Sequence, residues 1–173
     1  MDPRRFVLCA VLVGGCLPHT PLPRWSEASK ELCQGGMCYR VGELGPSWQA
    51  VHREAGSIGF FDAQSGGVIE SNAPCRDDAE ATPLRNLTGQ LLIGYTEREI
   101  REERTVQLAE RDALYSRVDA KLDGVPITLQ LYVIKRNGCI FDLSYAAPPD
   151  RQSAGQADFQ RFVDGFVDLR RRK

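Results

Sequence analysis

Cysteine, histidine and the acidic pairs are the residues of this chain whose spacing could do chemistry. Of six cysteines, Cys9 and Cys16 belong to an apolar N-terminal stretch, leaving Cys33, Cys38, Cys75 and Cys139. An even number admits two disulfides in three pairings. Cys33 with Cys38 and Cys75 with Cys139 is the favoured set. The first closes a small loop over Gly35-Gly36, where glycine permits a tight reversal, and the second ties distant segments, worth roughly 4 kcal/mol in the chain-entropy model. Zinc is the rival use of four thiols, but zinc fingers and ribbons need paired short spacings and only one short pair exists.

Histidine, the commonest proton shuttle, occurs only as His19 and His52. A Ser-His-Asp arrangement would have to rest on His52, and no Gly-x-Ser-x-Gly elbow presents a serine to it. A satisfied or surface histidine is the plainer reading. The adjacent acids Asp77-Asp78 and Glu102-Glu103 point their members apart on either regular element, although glycosidases do assemble carboxylate pairs from distant segments. Asp77, Asp78 and Glu80 lack the glycine and terminal glutamate of a calcium loop, and suit an acidic lead-in to a helix. The sequence has no phosphate loop, dinucleotide fingerprint or nucleic-acid motif. No catalytic residue, metal or cofactor is expected, and an enzyme built around His52, a hydrolase, is the alternative.

Cys16 has a different chemistry. It follows Met1-Asp2-Pro3-Arg4-Arg5, an apolar run over 6–13 and Gly14-Gly15, the layout of a signal peptide. The run is too short to span a bilayer, which takes about 20 apolar residues. Arg4-Arg5 sits in poor surroundings for twin-arginine export, so general secretion is preferred. The small-small-Cys ending resembles the lipobox of bacterial lipoproteins. That resemblance implies a signal peptide of residues 1–15 and a palmitate-type lipid anchor on Cys16, with the domain on the periplasmic side of a membrane. Leu17 in place of Asp favours the outer over the inner membrane by the sorting rule of enteric bacteria, the inner membrane remaining open.

Removing residues 1–15 from the 173 leaves 158, enough for one domain. Arg4, Arg5 and Asp2 go with the leader, so 20 basic and 22 acidic residues remain of the 22 and 23, a net charge of −2. Nucleic acid is not the expected partner. Arg170-Arg171-Arg172-Lys173 is a basic tail that complements a helix C-terminus. Residues 16–32, with Pro18, Pro21 and Pro23, read as lipidated cysteine and tether, and residues 33–173 as the domain.

Elements follow from pattern. Tyr39-Arg40-Val41 and Trp48 to His52 are short strand candidates, and the runs 57–61 and 67–71 flank a glycine-bearing turn as a hairpin. Thr82-Pro83 provides an N-cap and first helical position for a helix of about three turns with Leu84, Leu87, Leu91, Leu92 and Tyr95 on one stripe. Asn86-Leu87-Thr88 on that stripe is a coincidental sequon. Residues 97–107 predict a strand with one charged, solvated side. Residues 114–122, 127–133 and 139–145 alternate as strands around Asp123-Gly124 and Asn137-Gly138. Pro148-Pro149 ends the sheet. A capping box of Ser153 and Gln156 opens an amphipathic helix through Phe159, Phe162, Val163, Phe166 and Leu169. Phe162 and Phe166 are expected to pack on Leu129, Leu131 and Phe141.

Residues 133–149 (VIKRNGCIFDLSYAAPP), followed by Asp158-Phe159 and Phe162 to Phe166, resemble the C-terminal half of the PsbP/Mog1-like family, in which an aromatic-Asp-Leu strand and a small-Pro loop lead into a closing helix with a Phe-x-x-Phe pattern. The resemblance covers about residues 110–170. It implies an α+β domain, an antiparallel sheet between the leucine-rich helix and the C-terminal helix. It carries over no catalytic residues, because members chiefly act as binding and assembly factors. A noncatalytic module for a protein or envelope component is therefore expected, using a sheet face or the loops around Trp48 and Asp77. The cysteines depart from many members, and Cys75 with Cys139 would staple the early hairpin to the last strand.

Overall fold

Antiparallel pairing organises the chain into two sheets, described over residues 24–34, 37–51 and 57–169 in a computed structural model. Seven strands form the larger sheet: β4 (Trp48–Val51), β5 (Ser57–Asp62), β6 (Gly67–Asn72), β7 (Thr96–Leu108), β8 (Arg111–Leu122), β9 (Val125–Arg136) and β10 (Cys139–Ala147). Their order is β4-β5-β6-β10-β9-β8-β7. The smaller sheet runs β1-β2-β3-β11, from β1 (Arg24–Ser26), β2 (Glu31–Gln34), β3 (Met37–Arg40) and β11 (Val167–Asp168). Two helices complete the described fold, α1 (Leu84–Leu91) and α2 (Gln152–Asp164). The α+β class and the placing of both helices match the reading of the sequence, but α2 stops at Asp164 instead of running through Phe166 to Leu169, and Val167–Asp168 form β11.

The meander β7-β8-β9-β10 turns on three residue pairs with positive φ. Asp123-Gly124 (50° and 82°) and Asn137-Gly138 (53° and 74°) are the expected reversals, in the form that suits the right-handed twist of paired strands. Ala109-Glu110 (49° and 62°) does the same without glycine, and Arg136 Nη1 holds it by donating to the Ala109 carbonyl at 2.7 Å. β7 is the outer edge, and its exposed run of alternating acids and bases leaves that edge a poor template for another strand.

Several expectations are corrected. Residues 24–32 are not all tether, because β1 and β2 pair as a hairpin with Trp25 opposite Leu32. α1 has two turns rather than three, starts after Pro83 as its N-cap, and has no side-chain cap; the Thr82 hydroxyl donates instead to the Asp78 carbonyl. The Ser153–Gln156 capping box does not form, since Arg151 is the N-cap and no side chain caps α2. Trp48 is buried, its ring edge-on to Tyr145, so it belongs to the core rather than to a docking loop.

The packing of α2 is half as expected. Phe162 and Phe166 join Phe141 in one core, with Tyr132, Ile134, Leu143 and Tyr145, whereas Leu129 and Leu131 pack with Leu92, Val118 and Ala120 in a separate core. The reason is parity. Phe141 pairs with Ile134, and Leu131 with Ser144, so the two sets point to opposite faces. β9 is buried on both faces over Thr128 to Ile134, and alternation alone then does not say which side meets which helix.

Candidate functional site

The two faces of the large sheet are covered unequally. One face, with Phe60, Ile69, Phe141, Leu143 and Tyr145, is sealed by α2 and by Leu32, Met37, Tyr39 and Val41 of the small sheet and its exit. The Tyr39 hydroxyl lies 2.7 Å from the Ser71 hydroxyl across that interface. The other face carries α1, which packs on β8 and β9 through Leu87 and Leu92. Beyond Ile140 of β10, which packs with Leu87, this face is open towards β6 and the rest of β10. Phe61 pairs with Val68, and Val68 with Ala146, so all three share the α1 side, where Phe61 is exposed. Leu122 and Val125, paired at the far end of β8 and β9, are exposed as well.

A cavity of about 350 Å³ lies on this open side. Val68, Leu91, Ile127, Leu129, Leu131 and Ala146 give it an aliphatic wall. Strand pairing sets four polar groups beside that wall, since Asp142 is opposite Asn72 and Ser144 opposite Glu70, and all four line the cavity. Asp142 is only 7% exposed. Its Oδ1 has no hydrogen-bond partner among the described residues. Burial pushes its carboxyl up to about 7; Arg76 opposes that shift and Glu70 adds to it. Asp142 therefore divides between neutral and ionised forms near neutrality, unlike an exposed aspartate.

The residues singled out from sequence fall elsewhere. Cys33–Cys38 and Cys75–Cys139 are both disulfides, the first joining residues directly opposite in β2 and β3 and the second fixing the head of β10 three residues before Asp142. Cys16, His19 and His52 lie outside the described residues. Asp77 is exposed, Asp78 pairs with Arg76 at 2.9 Å, and Glu80 ties the loop to the β9–β10 turn by accepting from the Gly138 amide at 3.3 Å. Glu102 and Glu103 do point apart, one bonded to Arg104 and the other to Arg85 of α1. No cluster of three or more possible metal ligands occurs among the described residues.

Asp142 was not singled out by sequence reasoning, which took it as the polar partner of an alternating strand. The signal was available: Cys139-Ile140-Phe141-Asp142-Leu143 is apolar at both parities, which marks a strand buried on both faces and leaves a carboxylate inside it needing an explanation.

No family model matches the chain, and no curated protein matches it. Solved structures do. Cyanobacterial PsbP (CyanoP) from Synechocystis sp. PCC 6803 superposes with a TM-score of 0.56 at 10% identity, over 90% of this chain and 96% of that one. LpqN, involved in cell envelope biogenesis of Mycobacterium tuberculosis, gives 0.55 at 14% identity, over 75% and 83%. A protein from Bacteroides thetaiotaomicron VPI-5482 gives 0.56 at 15% identity over 84% of this chain, which spans 49% of that longer one. At such identities the likeness is one of fold, and it agrees with the resemblance of the last strands and closing helix: this chain has a PsbP/Mog1-like fold.

Proposed function

We propose that this protein is an envelope lipoprotein, anchored by acylated Cys16 on the periplasmic side of the outer membrane, whose domain is a noncatalytic binding or assembly module for a protein or envelope component. The observation that carries the binding role is the uneven covering of the sheet. A domain that seals one face with a helix and a second sheet, yet leaves Phe61, Leu122 and Val125 exposed on the other, where Leu122 also lines a cavity, has an apolar surface that a partner or ligand would bury. Two disulfides fit an oxidising, extracytoplasmic compartment. The part of LpqN in cell envelope biogenesis is in keeping with that location.

Intact mass of protein purified from membranes, before and after reduction, tests this reading. The expected result is a chain lacking residues 1–15, carrying acyl groups on Cys16 and gaining four protons on reduction. An unmodified Met1 with free thiols at Cys33, Cys38, Cys75 and Cys139 overturns it.

A further inference from the structure

We propose that the cavity beside α1 binds a single-chain amphiphile whose head group donates hydrogen bonds, with the Asp142 carboxyl as the acceptor and the aliphatic wall holding the tail. This rests on the reading that the α1 side of the sheet is the binding face, and it names the class of envelope component bound there.

The site has the two halves that such a ligand needs. Leu91, Ile127, Leu129 and Leu131 offer a continuous apolar wall, and burying a chain against it gains about 0.8 kcal/mol per methylene. The polar side offers acceptors: the carboxyl of Asp142 and the oxygens of Asn72 and Ser144. A buried acceptor without a donor is costly, and the Asp142 Oδ1 has none among the described residues. The Asp142 side chain lines the cavity, and a hydroxyl or ammonium group there supplies its carboxyl with a donor. An anionic head would instead meet the Asp142 carboxyl, while Arg76, the cation acting on Asp142, is engaged with Asp78 at 2.9 Å and with Gln90. The cavity volume of about 350 Å³ is at the low end of ligand pockets, which suits one short chain rather than two.

Three probes with the same eight-carbon tail separate head from tail: 1-octanol, octylammonium and nonanoate, each titrated below its aggregation concentration into the disulfide-intact domain at pH 7. Binding is read from the methyl resonances of Val68, Leu91, Ile127, Leu129 and Leu131. The expected result is saturable binding of octanol and octylammonium, with nonanoate weaker by about tenfold or more. Asp142→Leu should abolish that ranking, and Asp142→Asn should keep octanol but lose the advantage of octylammonium. The ranking in the wild-type protein needs no variant to fold. Equal binding of all three probes, or no saturable shift, overturns the proposal. So do shifts that follow protein concentration instead of probe, which would assign the face to a second copy of the chain. The mass of Cys16 is an independent readout, so failure of the anchor and failure of the pocket are distinguishable.

Discussion

Phe166 meets Phe141 with ring centroids 5.0 Å apart at 63°, although Phe166 lies beyond the last residue of α2. Gly165 ends the helix, and the Phe166 amide still donates to the Val163 carbonyl at 2.9 Å, so the chain turns inward instead of leaving the surface. Tyr39 closes the cluster from the small sheet. Phe166→Ala removes a ring that is 2% exposed and should destabilise by about 3–5 kcal/mol in a denaturant titration. A shift in melting temperature of only a degree or so would contradict this packing.

Just before that ring, backbone replaces side chain as the packing unit. A Cβ added to Gly165 would collide with the backbone of Gly42, and one on Gly42 with the Arg161 carbonyl, while the Gly42 amide donates to the Phe162 carbonyl at 2.9 Å. Gly42→Ala should therefore cost about 1–3 kcal/mol or more. Gly89 in α1 is the control, because its added Cβ meets nothing within 4 Å. Gly89→Ala should stabilise by roughly 0.5–1 kcal/mol, measured by the same unfolding curve.

The two disulfides should differ in worth. Cys75 and Cys139 are separated by 64 residues and Cys33 and Cys38 by 5. Loop-closure entropy then gives roughly 4 kcal/mol for the first and about 2 kcal/mol for the second. Paired Cys→Ser variants at each bridge should show that order in midpoint denaturant concentration. The reverse order would mean that the small sheet depends on its bridge for more than chain entropy.

The elements were legible where one signal dominated. Asn137-Gly138 and Asp123-Gly124 marked their turns because few other pairs accept positive φ at both residues, and the Phe159, Phe162, Val163 spacing marked α2. Ala109-Glu110 was not legible, since its reversal depends on an arginine 27 residues away in β9. Nor was the facing of β9, where Leu131 and Tyr132 are both buried and the two parities carry the same apolar signal. Asp142 was hidden for the same reason. Its meaning depends on which helix leaves its face open, and α1, which reaches only the head of β10 at Ile140, leaves β6 and the rest of β10 uncovered.

Asp142 should make stability depend on pH in a direction opposite to a salt-bridged aspartate. Its ordinary value is 3.8, and burial raises it to about 7 in the folded chain, against Arg76 and with Glu70. Between those values the native state keeps a proton that the unfolded chain has released. Stability then falls as pH rises, at up to about 1.4 kcal/mol per pH unit, is fully present below the unfolded value and levels off above the folded one. Asparagine at this position cannot titrate. Unfolding curves of wild type and Asp142→Asn taken from pH 4 to pH 8 should therefore diverge, the variant gaining roughly 3–4 kcal/mol relative to wild type over that range, whatever fixed cost the new amide brings. Carboxylates remote from position 142 are common to both proteins, so the difference isolates this group and its coupling to Glu70 and Arg76. Parallel curves would mean that Asp142 is solvated or paired with a cation in solution, and the acceptor at the heart of the proposed pocket would then be already satisfied.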